Sequence, residues 1–308
     1  MALLVFWDPE HPGDIVVELK RRLPDLEVRM YPDIGAPASL EYLLGYDPPS
    51  EFLRQLPNLK IIFSTGAGAD AFLGKPYLPD VPLVRMVDQG LTRLVTEFVA
   101  SQVLAWHRDL WHYRQCQAAA LWQPLPLRLA RDRRVGVLGL GAIGKEVART
   151  LLMLGFDVVG WSRAQKDLEG LPSFAGPAGL PEVLQRSEIL VSVLPLTAAT
   201  QGLLNGETLR LLPRGAVIVN VGRGANLVED DLLAVLDEGH LSGASLDVFA
   251  DEPLPEGHPL WGQPKVVVTP HVAGAMTASA MAEVVAAQIM RLEDGLPLQN
   301  VVKPSKGY

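Results

Sequence analysis

The chain is poor in cysteine, aromatic residues and basic charge. Cys116 is the one cysteine among 308 residues, which excludes an internal disulfide and a metal centre built on thiolates. It reads as a buried small apolar residue. Aromatic residues make up 6% of the chain and hydrophobic residues 48%, so the core must rest on Leu, Val, Ile and Ala. The formal net charge of −8 disfavours wrapping of a nucleic-acid backbone or of an anionic membrane. An anionic ligand would be held against this field by a few local cations and backbone amides. No apolar run approaches the roughly 18 residues of a membrane span. The opening segment, Met1 to Asp8, is apolar but short, has no basic lead and is followed by Glu10; it reads as a first strand and not as a signal peptide. His11, His107, His112, His240 and His258 show no metal-ligand spacing, so no metal is expected. These absences predict a soluble, cytoplasmic protein with neither nucleic acid nor membrane as partner.

What is present is a long alternation of short apolar runs and amphipathic segments. Strands are predicted at 3–7, 27–31, 42–44 and 60–64, with helices at 15–23 and 50–56. One long helix is predicted over 92–121. A second series of strands follows at 134–140, 157–161, 189–193, 216–220, 243–248 and 266–269, and a last helix at 275–292. Such β/α alternation implies parallel sheets with helices on their faces. The length suggests two domains. The break near residue 95 and the change after His271 suggest that 96–274 is inserted into a discontinuous domain made of 1–95 and 275–308.

The second series opens with Val135-Gly136-Val137-Leu138-Gly139-Leu140-Gly141-Ala142-Ile143-Gly144, a strand, a Gly-x-Gly-x-x-Gly loop and a helix. Gly139 permits the tight turn, Gly141 lets a pyrophosphate approach the backbone, and Gly144 lets the helix pack on the strand. The amides of Ala142 and Ile143 then point from a helix N-terminus at the phosphates. A glycine turn alone is weak evidence; the flanking strand, helix and second strand make it a dinucleotide site. The second strand ends Gly160-Trp161-Ser162-Arg163, where an NAD-preferring site usually carries an acid. Ser162, Arg163 and Lys166 instead suit a 2′-phosphate, so NADP is the expected cofactor, with NAD as second choice. The bland alternative is that Arg163 is a solvated loop residue.

Three further strands end in Asn220-Val221-Gly222-Arg223-Gly224, in Leu246-Asp247-Val248-Phe249-Ala250-Asp251-Glu252-Pro253-Leu254 and in Thr269-Pro270-His271-Val272-Ala273. In an open α/β sheet such ends face the ligand crevice. Taken singly, a histidine after a strand, a Glu-Pro and an arginine between glycines are each more often structural. In this order behind the glycine loop, the motifs resemble the D-2-hydroxyacid dehydrogenase family over nearly the whole chain. Ala120-Leu121-Trp122-Gln123-Pro124-Leu125-Pro126, Gly66-Ala67-Gly68-Ala69-Asp70, Trp161-Ser162-Arg163 and Lys306-Gly307-Tyr308 are similar to its glyoxylate/hydroxypyruvate reductase branch.

The resemblance implies two Rossmann-like or flavodoxin-like domains, one for substrate and one for NAD(P) with a dimerisation arm. It implies reduction of a small 2-keto acid by hydride from NADPH. Arg223 has the rigid fork to bind the acid and polarise its carbonyl. His271 is a natural proton donor to the forming alkoxide. Glu252 would hold the other ring nitrogen and favour the protonated ring. The resemblance also puts Pro195, Thr197, Val221 and Asp247 on the cofactor, although Leu194-Pro195-Leu196-Thr197 could equally be a plain turn. It gives the substrate carboxylate to the amides of Ala67 and Gly68. Trp122 either reaches a neighbouring subunit's active site in a homodimer or only packs the arm; Tyr46 is a candidate pocket wall. The run Arg128, Arg131, Arg133, Arg134 reads as a solvated face. Two other readings stand beside this one: a related dehydrogenase using NAD(H) on another keto acid, and a non-catalytic nucleotide-sensing binding protein. The chain lacks the disordered tails that would support the sensor.

Overall fold

The apolar runs of the sequence become strands covered on both faces, as parallel sheets require. The computed structural model describes residues 1–6, 13–66, 68–73 and 75–303. The chain divides into two units, Met1–Leu91 with Ala275–Tyr308, and Thr92–Gly274. The first contains β1 (Ala2–Phe6), α1 (Gly13–Arg22), β2 (Glu27–Met30), β3 (Leu40–Gly45), α2 (Ser50–Leu53), β4 (Ile61–Ser64) and β5 (Leu83–Arg85). Its sheet has the order β2-β1-β3-β4-β5 with every pairing parallel, the flavodoxin-like arrangement. Alternate residues of β1 feed opposite faces. Leu3 and Val5 join a core with Ile15 and Leu19, whereas Ala2 and Leu4 join one with Phe52, Leu53 and Phe72.

The chain leaves the first unit along α3 (Gln89–His107) and continues through α4 (Leu110–Ala118). The single helix expected over 92–121 is therefore two. Asp109 between them has φ +53°, a left-handed conformation that Asp tolerates better than most residues, and it breaks the ladder. Ala120, at φ +53°, then turns the chain into an irregular segment over 121–129.

The second unit continues with β6 (Arg134–Leu138), α5 (Ala142–Met153), β7 (Asp157–Ser162), β8 (Ser173–Ala175), α6 (Gly176–Arg186) and β9 (Ile189–Ser192). It ends with α7 (Gly206–Leu209), β10 (Ala216–Asn220), α8 (Glu229–Asp237), β11 (Leu241–Leu246), α9 (Pro259–Gly262) and β12 (Val266–Val268). The order β8-β7-β6-β9-β10-β11-β12 is all parallel. Counted from β6 it is the dinucleotide-binding order 3-2-1-4-5-6 with one strand added, and it reverses between β6 and β9. The last helix, α10 (Ala278–Glu293), belongs to the first unit and sends Met281, Val285 and Ile289 into the core that holds Ile15 and Leu19.

The basic run before β6 is not simply solvated. Arg128, Arg133 and Arg134 converge on Glu188 at 2.9, 3.8 and 3.5 Å, and the Arg134 amide donates to the same carboxylate at 3.1 Å. Of that run, Arg131 stays exposed. Burial pushes the Glu188 carboxyl up, but the Arg128 and Arg134 hydrogen bonds and the guanidinium charges outweigh it and hold it below the ordinary carboxylate range. Among the described residues, no helix is long and apolar enough to cross a membrane.

Candidate active site

Parallel pairing puts the carboxyl ends of the second sheet on one edge. Trp161, Leu138, Ser192, Asn220, Leu246 and Val268 form a single row of register partners. The glycine loop and the segments carrying Arg223, Glu252 and His271 all leave the sheet just past this row. At the topological reversal stands the loop after β6. Gly139 has φ +100° and donates its amide to the Trp161 carbonyl at 2.8 Å. A Cβ on Gly144 would lie 1.7 Å from the Gly139 carbonyl oxygen, so only glycine lets α5 sit so close. A Cβ on Gly141 would meet nothing within 4 Å, and Gly141 and Ala142 are exposed. Gly141 opens α5 without a side-chain cap. An uncapped helix N-terminus beside an open, Cβ-free face fits a dinucleotide pyrophosphate.

Around this cradle the other expected cofactor contacts vary in availability. Arg163 is exposed just past β7 and Lys166 is half-buried. Ser162, by contrast, is buried and donates its hydroxyl to the Ala164 carbonyl at 2.7 Å. Thr197 is folded into a turn: its amide and hydroxyl each meet the Thr200 hydroxyl at 2.9 Å, and that hydroxyl donates to the Pro195 carbonyl at 2.7 Å. Val221 extends the ladder through its amide to the Ser192 carbonyl at 3.0 Å.

Arg223 stands between glycines that packing demands. A Cβ on Gly222 would come within 2.6 Å of the Leu194 carbonyl, and one on Gly224 within 1.8 Å of the Phe249 carbonyl carbon. The Arg223 Nη1 donates to the Gly222 carbonyl at 2.9 Å. Glu252 is divided between two duties: Oε1 accepts the Phe249 amide at 2.9 Å, and Oε2 takes His271 Nδ1 at 2.7 Å. Burial pushes the Glu252 carboxyl up. The bonds from His271 and Phe249, with the charges of His271 and Arg223, outweigh it and hold the carboxyl below its ordinary range. His271 Nδ1 is used by Glu252, which leaves Nε2 for a ligand.

Asp247, expected beside the cofactor, braces the turn that carries His271. It is 1% exposed, and its carboxylate accepts the Thr269 hydroxyl at 2.6 Å and the Val272 and Ala273 amides at 2.9 and 2.8 Å. Its carbonyl accepts the His271 amide at 2.9 Å, so it braces the turn in which His271 adopts φ +52°. Sequence reasoning assigned nothing to Asn220 or Asn226, both fully buried. Asn220 Oδ1 accepts the Gly222 amide and its Nδ2 donates to the Arg223 carbonyl, each at 3.3 Å. Asn226 Nδ2 donates to the Leu194 carbonyl at 3.0 Å. For Asn220 the available signal was a polar residue closing an otherwise apolar strand; Asn226, in the turn after Arg223, carried none.

The remaining expected residues belong to other segments of the chain. In the first unit, Tyr46 is exposed just past β3, and Gly68 follows β4, its carbonyl accepting the Ser64 hydroxyl at 2.8 Å. Ala67 and the terminal Lys306-Gly307-Tyr308 fall outside the described residues. Trp122, in the segment after α4, is 98% exposed. That segment hangs from α4 by Leu121 N to Cys116 O at 2.8 Å and Leu125 N to Tyr113 Oη at 2.9 Å.

Known proteins share this fold. The family described as D-isomer specific 2-hydroxyacid dehydrogenase, NAD binding domain, matches residues 100–273. Glyoxylate/hydroxypyruvate reductase A of Klebsiella pneumoniae subsp. pneumoniae is 39% identical, with 99% of each chain covered. The crystal structure of a D-isomer specific 2-hydroxyacid dehydrogenase from Xanthobacter autotrophicus Py2 in complex with NADPH and MES is 42% identical. It superimposes with a TM-score of 0.94 over 100% of this chain and 99% of that one. The NADPH-dependent glyoxylate/hydroxypyruvate reductase of Sinorhizobium meliloti, in complex with NADP and sulfate, is 38% identical with a TM-score of 0.94 over 100% of both chains. The chain belongs to the D-isomer specific 2-hydroxyacid dehydrogenase family.

Proposed function

We propose that this chain reduces glyoxylate and hydroxypyruvate to the 2-hydroxy acids with NADPH, the unit around β6 to β12 holding the cofactor and the other the substrate. The observation that carries the reading is the 2.7 Å Glu252–His271 pair under the charge of Arg223, on the sheet edge that also bears the glycine loop. When bound, NADPH supplies the hydride that adds to C2 of the keto acid. Arg223 binds the acid and draws charge toward the carbonyl oxygen. His271, oriented through Nδ1 by Glu252, gives the Nε2 proton to that oxygen as it gains negative charge. The amides of Ala142 and Ile143 hold the pyrophosphate, while Pro195, Thr197, Val221 and Asp247 flank the cofactor and backbone at Ala67 and Gly68 takes the substrate carboxylate. Tyr46 is a pocket wall.

Preference for NADPH is supported by Ser162, Arg163 and Lys166 where an acid would select NAD. For the Ser162 hydroxyl this requires release from Ala164. The relatives named for glyoxylate and hydroxypyruvate support the substrate. The enzyme works as a cytoplasmic homodimer in which the exposed Trp122 completes the partner's pocket; the free, buried Cys116 suits a reducing compartment.

Steady-state assays with glyoxylate, hydroxypyruvate and longer 2-keto acids, each with NADPH and NADH, test the proposal. The expected result is turnover of the two small acids with higher kcat/KM on NADPH. A preference for NADH on other keto acids would move the chain to another dehydrogenase branch. Tight NADPH binding without turnover on any keto acid would make it a nucleotide sensor.

A further inference from the structure

The helix α8 begins with three acids, Glu229, Asp230 and Asp231, more than its dipole needs. Asp231 accepts the Gly206 amide at 2.7 Å. Glu229 turns toward the loop that carries Glu252. Its Oε1 accepts the Ala250 amide at 2.9 Å, and its Oε2 meets His258 Nε2 at 3.3 Å. The Leu260 amide donates to His258 Nδ1 at 3.3 Å, which leaves Nε2 to carry the proton toward Glu229. One carboxylate therefore ties down both ends of the stretch from Ala250 to His258. Inside that stretch Glu252 turns back to the Phe249 amide and offers its other oxygen to His271. The Glu229 side chain is 13% exposed, and a carboxylate so withdrawn from water depends on such bonds to offset its desolvation.

Glu229 also follows Arg223 closely along the chain. The Arg223 segment touches the Glu252 loop at Gly224, where a Cβ would strike Phe249, and again at Glu229. Arg223 and Glu252 come from different strand ends, and this second contact sets their register.

We infer that Glu229, with His258, is a positioning residue of the reaction: its carboxylate locks the Arg223 segment to the Glu252 loop and so aims Glu252 at His271. The inference rests on the proposed role of Glu252 and His271.

Glu229→Gln tests it. The glutamine oxygen can still accept the Ala250 amide, but its Nε2 then opposes the His258 Nε2 proton, donor against donor. Turnover of glyoxylate should fall about 10- to 100-fold, as for a small displacement of a reacting group, with KM for NADPH near the parent value. In a Glu252→Gln background the same change should cost less than about two-fold, because two residues acting in one chain of contacts are not additive. The imidazole nitrogen shifts of His258 should report a change of tautomer. His258→Asn, which keeps the helix cap and drops the bond to Glu229, should reproduce part of the loss in a chain that folds normally. Parent-like kcat in both Glu229→Gln and His258→Asn, or equal losses in the two backgrounds, overturns the inference alone. Parent-like kcat in Glu252→Gln by itself would instead remove the reading of the site, and this inference with it.

Discussion

His271 holds a left-handed backbone conformation that costs an ordinary residue about 1–2 kcal/mol, and Asp247 keeps it there through the Val272 and Ala273 amides. Such a turn projects the ring from the edge of the sheet while Glu252 sets its rotation. If Nε2 delivers the proton, His271→Ala should lower kcat/KM for glyoxylate about 100- to 10,000-fold. Arg223→Ala should cost a comparable factor, since it removes the cation aimed at the developing charge. NADPH binding, followed by fluorescence titration, should stay near the parent value in both, because neither residue lies on the glycine loop. Arg223, Glu252 and His271 were singled out in the sequence by the joint order of strand-ending motifs and the family that order resembles. The duties of Asp247, Asn220 and Glu229 were not legible there, because their partners come from segments whose approach depends on the fold.

At the scale of elements, the glycine loop shows how two identical residues differ. Gly141→Ala should leave the melting temperature unchanged, since its Cβ meets nothing, yet weaken NADPH binding by about ten-fold, or ~1.4 kcal/mol. Gly144→Ala should destabilise by about 1–3 kcal/mol or more, as overpacking does, because its Cβ would strike the Gly139 carbonyl. Thermal melts and cofactor titrations of the pair separate the two roles. Glu188, just before β9, gathers arginines from the segment leading into β6. Its carboxyl is held below the ordinary range, so its contribution is complete above that range and is lost as pH falls through its own lowered value. Glu188→Gln should therefore cost about 1–3 kcal/mol at pH 7, and in melts at falling pH the gap to the parent should begin to narrow only once the pH drops below the ordinary carboxylate range, closing beneath the lowered value. Long apolar runs such as β1 and β10 were legible as strands. The three-residue β5 and β8 were not, being too short to show a period, and the kink at Asp109 escaped because it is followed at once by Leu110 and Trp111 with no glycine or proline to mark a break.

At the scale of the whole molecule, the chain carries two sheets whose strands are all parallel, and in such sheets ligands gather at the carboxyl ends of the strands. In the segment after α4, Trp122 is almost wholly exposed and Leu121, Leu127 and Leu129 are each more than half exposed; in the proposed homodimer the partner subunit covers this apolar segment. The chain should run as a dimer in sedimentation, and Trp122→Ala should raise KM for hydroxypyruvate several-fold with less effect on KM for NADPH; a fully active monomer would refute both. What the amino-acid order determined by itself is what neighbours along the chain can decide. Apolar runs make strands, glycines permit one turn, and short motifs stand where strands end. Tertiary structure alone decided which oxygens and amides meet: Glu252 with His271, Asp247 with its turn, Glu188 with its arginines and Glu229 with both ends of a loop. A hydrogen bond is set within a few tenths of an ångström, and that distance exists only after sheets and helices have packed distant segments together.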